Sequence, residues 1–134
     1  MLQFSRAMYL GACRITFELP GNRSLKGKRH VVRRICDRLK HKFHAAAAEV
    51  GDTEQWSEAE VGFAVVSNSQ AHARAMAENI LTYIEGLMIA PVRDVELEII
   101  PFDDVATGGT FGEVERWGTG GRAKLGALPD DEGA

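Results

Sequence analysis

Apolar and polar positions alternate from Met8 to Leu19, with Tyr9, Cys13, Ile15, Phe17 and Leu19 on one side and Arg14, Thr16 and Glu18 on the other. A period of two marks a half-buried strand. Pro20-Gly21-Asn22 interrupts it, and Ser24 suits a helix N-cap because its hydroxyl accepts from the first free backbone N–H groups. From Leu25 to Phe43 the period becomes helical, gathering Leu25, Val32, Ile35, Cys36, Leu39 and Phe43 on one stripe. Ala45 to Val50 is compatible with a short strand, although alanine is a poor strand former. A polar loop around Trp56 follows, and then the continuously apolar run Val61 to Val66 of a central strand. Asn68 or Ser69 caps a second helix, with Ala73, Met76, Ala77, Ile80, Leu81, Ile84 and Leu87 at i, i+3, i+4 spacing up to Pro91. Val92 to Ile100 alternates again and closes the set as a last strand.

The order β-α-β-β-α-β is the split βαβ pattern of ferredoxin-like α+β folds. Two helices with one apolar stripe each need a common sheet face to cover. Four antiparallel strands in spatial order 4-1-3-2 provide it, with Ala45 to Val50 on an edge open to strand addition by another chain. Residues 8–104 are read as this domain and residues 1–7 as an N-terminal extension. Residues 105–134 are read as a flexible tail, because Gly108 to Ala134 holds 8 of the 14 glycines.

Composition changes this picture in one respect. The net charge of −3 conceals a segment, Arg23 to Lys42, with nine Lys/Arg against the single acid Asp37. That segment carries +8 and the remainder −11. The cations flank the apolar stripe, Arg29, Arg33 and Lys40 on one side and Arg34 and Arg38 on the other. Asp37 reaches Arg33, Arg34 and Lys40 at helical spacing, but one carboxylate does not balance nine cations. Acids elsewhere, such as Glu96 and Glu98, are expected to add a little across space, as exposed pairs do.

Gly21-Asn22-Arg23-Ser24-Leu25-Lys26-Gly27-Lys28-Arg29 followed by Val31-Val32-Arg33 resembles the S-L-K-x-K-R opening helix of the YlxP-like proteins, domain of unknown function 503. Ala48-Glu49-Val50-Gly51, Trp56 and Ala64-Val65-Val66-Ser67-Asn68 resemble the second and third strands of the same family. The resemblance covers Met8 to Ile100 and implies a small bacterial protein with a ferredoxin-like fold. The family's genes often lie beside those for ribosome maturation and translation initiation factors, which implies a connection to RNA or the ribosome. Relatives commonly start near Met8. Two positions depart from the pattern. Gly27 stands where an acid would complete a capping box with Ser24, and Ser57-Glu58 is more acidic than its counterparts, which counts against an anion contact near Trp56.

Other chemistries find only partial matches in the sequence. Val61 to Val66 partly matches the consensus of the RNA recognition motif, but two of its stacking aromatics are missing. Arg23 and Asn68 occupy places comparable to the arginine and asparagine of acylphosphatases, without the glycine-rich loop of that active site. His41 and His44 lie three apart, with no further ligand to complete a metal set. Cys13 and Cys36 lack metal-binding spacing and read as small buried thiols rather than a disulfide. No membrane span or signal peptide is seen, and a cytoplasmic location is expected.

The expectation is a non-enzymatic RNA- or ribosome-associated protein without cofactor or catalytic residues. Phosphate would be contacted by Arg23, Lys26, Lys28, Arg29, Arg33, Arg34 and Arg38. The alternative is an adaptor that self-associates through its sheet edge as a homo-oligomer.

Overall fold

The computed structural model describes residues 7–102 and two further strands at 114–118 and 121–124. Six strands and two helices follow in the order β1 (Tyr9–Glu18), α1 (Leu25–Phe43), β2 (Ala46–Val50), β3 (Glu58–Ser67), α2 (Gln70–Leu87), β4 (Val92–Pro101), β5 (Val114–Gly118) and β6 (Gly121–Lys124). The sheet order is β2-β3-β1-β4-β5-β6, antiparallel throughout. Its first four strands and two helices are the ferredoxin-like unit that the periodicities predict. Two stretches of the glycine-rich segment expected as flexible are strands beyond β4; the rest of that segment and residues 1–6 lie outside the described residues. Glycine content masked the short strand-compatible runs at those positions.

Period-two alternation decides what each strand buries. Cys13, Ile15 and Phe17 of β1, Ala59, Val61, Phe63 and Val65 of β3, and Val95, Leu97 and Ile99 of β4 form one wall of the core. Val32, Ile35, Cys36 and Leu39 of α1 and Ala73, Ala77, Ile80, Leu81 and Ile84 of α2 form the other. β3 begins at Glu58, three residues before the apolar run, because Glu58 and Glu60 take the outward positions that alternate with buried Ala59 and Val61. Cys13 and Cys36 are buried free thiols, and burial pushes both up from the usual thiol range.

Phe63 points into the core at 4% exposure, while Gly62, Ala64 and Val66 face outward. The one aromatic that matched the RNA recognition consensus is therefore on the wrong side of the sheet to stack on a base. The outer face instead carries Glu58, Glu60, Asp94, Glu96 and Glu98 with Arg14 and Arg93.

Candidate nucleic-acid interface

The turn that launches α1 is built by Pro20 and Gly21. Asn22 N donates to Leu19 O at 3.1 Å and Gly21 has φ +78°, the left-handed backbone a type II turn requires at that position. Ser24 then caps the helix, its hydroxyl accepting from Gly27 N at 3.0 Å. The acidic residue absent at position 27 has a structural replacement. Asn22 Oδ1 fills the space where a side chain at 27 would start, 2.3 Å from an ideal Cβ. The amide of Asn22 donates to Ser24 O and to Trp56 O, each at 2.9 Å, and so ties the β2–β3 loop to the start of the helix.

Lys28 makes a second tie and corrects the expectation for that residue. Charge alone places it with the phosphate-contacting cations, yet it is 1% exposed. Its Nζ donates to Asp52 O at 3.0 Å and to Gln55 O at 2.6 Å. Glu49 Oε2 lies 3.2 Å away, an ionic contact without the alignment of a hydrogen bond. A buried ammonium needs such partners, since desolvating it alone costs several kcal/mol. Lys28 is thus an internal strut holding the 51–57 loop, and no partner molecule reaches it.

The other eight cations of the segment, Arg23, Lys26, Arg29, Arg33, Arg34, Arg38, Lys40 and Lys42, are exposed. Among the described residues none of them forms an ion pair with a carboxylate. Asp37, within helical reach of three of them, makes no such pair; its backbone carbonyl contacts His41 Nδ1 at 3.2 Å. Glu96 and Glu98 are expected from the sequence to add a little across space. They stand on the outer face of the sheet, with the core between them and α1. Lys42 is the cation with an aromatic partner: its Nζ lies 5.3 Å from the Tyr83 ring and 5.7 Å from that of Phe43, two rings packed edge to face.

One side chain that charge counting overlooked belongs to this surface. Trp56 is 51% exposed, yet its backbone is pinned on both sides. Asn22 holds its carbonyl, Gln55 Oε1 accepts from its N–H at 3.1 Å, and Ser57 O accepts from Leu19 N at 2.8 Å. A loop tied through Asn22 to the start of α1 therefore presents a half-exposed indole. A lone tryptophan in a polar loop, with no apolar pattern around it, was the available signal. The acid next to it, Glu58, is ion-paired with Arg93.

The enzyme-like pairing does not assemble. Arg23 follows the end of β1, whereas Asn68 follows the end of β3, which runs antiparallel to β1 with Tyr9 opposite Ser67. The two residues sit at opposite ends of a ten-residue strand pair, roughly 30 Å apart at strand rise. His44 has its own place as the left-handed C-cap of α1, φ 54°, its N–H donating to Lys40 O at 3.0 Å.

These features define a ferredoxin-like domain with a cationic helix face that no carboxylate neutralises among the described residues, and comparison with known proteins places it further. Residues 10–97 match the family model described as "Protein of unknown function (DUF503)", and the chain belongs to that family. It is 34% identical over 62 residues to "Uncharacterized protein YlxP" of Bacillus subtilis (strain 168), covering 46% of this chain and 67% of that protein.

Proposed function

We propose that the protein binds RNA, in the cytoplasm and in association with the ribosome, through the exposed face of α1. The observation that carries this is the set of eight exposed cations with no carboxylate partner among the described residues. Like charges held close on one helix repel one another, and a polyanion relieves that repulsion while releasing its own counterions. Arg23, Lys26, Arg29, Arg33, Arg34 and Arg38 contact phosphate; Lys28 is removed from the set because it is buried. The contacts are to the backbone of the nucleic acid and carry little sequence information.

Trp56 adds a stacking surface at the N-terminal end of the helix, suited to an unpaired base. The acidic outer face of the sheet repels phosphate, which orients the nucleic acid to the helical side. No described helix is long and apolar enough to cross a membrane. Fractionation of a cell lysate on a density gradient with the tagged full chain tests the proposal. Co-sedimentation with ribosomal subunits, lost on raising the salt, is expected. A protein that stays at the top of the gradient at low salt, free of material absorbing at 260 nm, contradicts it.

A further inference from the structure

The open edge of β2 and the flank of α1 beside it form a groove of about 380 Å³. Arg29, Arg33 and Lys40 line its helical side, and Ala47, Ala48 and Glu49 its strand side. Two carboxylates lie in it: Asp37, and Glu49, which is engaged by Lys28. Three cations against one uncommitted acid leave the groove positive.

β2 pairs with β3 along one side only, in the register Ala46↔Ala64 to Val50↔Glu60. Alternate N–H and C=O groups of Ala46–Val50 therefore point away from the sheet, and no partner meets them among the described residues. Three of the usual protections of an edge are absent, since β2 has no proline and no lysine and pairs with β3 without a bulge, and its one charge, the inward Glu49, is engaged by Lys28. Its small alanine side chains leave room for a neighbouring backbone.

We propose that this groove takes an extended acidic polypeptide segment from another protein, added to β2 as a further strand. Main-chain hydrogen bonds supply the pairing, and side chains at every second position meet the cations. The spacing agrees. Arg29 and Arg33 are one helical turn apart, about 6 Å along the axis, and two residues of a strand advance about 6.8 Å. Aspartate or glutamate at alternate positions fits both periods. A second copy of this chain fits poorly. Antiparallel pairing of two β2 edges makes one continuous sheet with both α1 helices on the same side, and so sets Arg29, Arg33 and Lys40 of one copy against those of the other.

The inference goes beyond RNA binding but shares Arg29 and Arg33 with it, so the test separates the two with Arg34 and Arg38, which lie outside the groove. The probe is a fluorescent ten-residue peptide alternating glutamate with valine, titrated by anisotropy into the full chain. Two N-methylated versions, one for each alternate set of residues, accompany it. Strand addition uses one edge of the peptide, so methylating one set is expected to weaken binding at least tenfold and methylating the other to be tolerated. Arg29→Glu with Arg33→Glu is expected to lose binding at least tenfold, and Arg34→Glu with Arg38→Glu to retain it. Equal binding of both methylated peptides shows a nonspecific polyanion contact and overturns the proposal. So does failure of the unmodified peptide to bind, or a dimer in sedimentation that the peptide dissociates, which assigns the edge to a second copy.

Discussion

The two outer surfaces of this domain treat charge in opposite ways. On the outer face of the sheet, carboxylates and guanidinium groups answer one another. Arg14 Nε lies 2.9 Å from Glu96 Oε1 and its Nη1 4.0 Å from Glu60 Oε1, and Arg93 bonds Glu58. On α1 and at Arg23 just before it, eight exposed cations have no acid partner among the described residues, and Asp37, the one acid among them, pairs with none there. The same chain thus satisfies charge locally where fold alone is at stake and leaves it open along one helix. Lys28 shows the contrast within α1 itself. It is the cation whose partners the fold provides, and the one withdrawn from solvent.

The largest expected effect sharpens that distinction. Lys28→Met leaves Glu49 and the Asp52 and Gln55 carbonyls without their donor, and is expected to cost about 3 kcal/mol in denaturant unfolding, near the low end for a broken buried pair because Glu49 keeps some solvent access. The folded fraction should retain the salt dependence of RNA binding shown by the unaltered chain. A stable Lys28→Met variant with weakened RNA binding would return Lys28 to the surface set.

Asn22→Ala removes the two amide hydrogen bonds that tie Trp56 to the helix start, with an expected loss of about 1 kcal/mol. Trp56 fluorescence should become more quenchable, since the indole would no longer be held on a pinned loop. On the sheet face, Arg14→Ala is expected to change stability by less than about 1 kcal/mol, because the arginine is largely exposed and its pairs are screened. It should leave RNA affinity unaltered; a large loss there would break the division between the faces.

The smallest effect concerns Glu98, whose carboxyl burial holds above the usual range. The folded state then binds this proton more tightly than the unfolded chain, so the group's contribution falls as pH rises through the raised value. Glu98→Gln should therefore be slightly more stable than the unaltered chain at neutral pH. Denaturant midpoints should show this gain shrinking as the pH drops into the carboxylate range.

Most of the fold was legible because strand and helix periods are local. Each buried residue named for α1 and α2 lies on the stripe its spacing marks, apart from Lys28. That exception was itself written in the sequence: Lys28 precedes Val32 by four and Ile35 by seven, which places it among the core positions. What the pattern does not contain is its partners, since loop carbonyls at 52 and 55 meet the ammonium only after β2 and β3 pair. The position of Glu96 and Glu98 was also available from parity, because they alternate with Val95, Leu97 and Ile99, which face the helices. Trp56 was legible only as a lone tryptophan in a polar loop and β2 only as an open edge; the hydrogen bonds that pin the one and the α1 flank that makes a groove beside the other depend on long-range packing.

The measurement that bears most directly on the α1 surface is its affinity for RNA as a function of salt, read for the full chain and for Arg34→Glu with Arg38→Glu. Five phosphate contacts give a log–log slope of roughly −3.5 on a single strand, so tripling the salt should weaken binding about fifty-fold. The double variant should bind at least tenfold more weakly at low salt, with a slope shallower by roughly 1.4 for two lost contacts. An affinity that stays flat with salt, or a double variant that follows the unaltered chain at every salt concentration, would show that the open charge on α1 is not there to hold RNA.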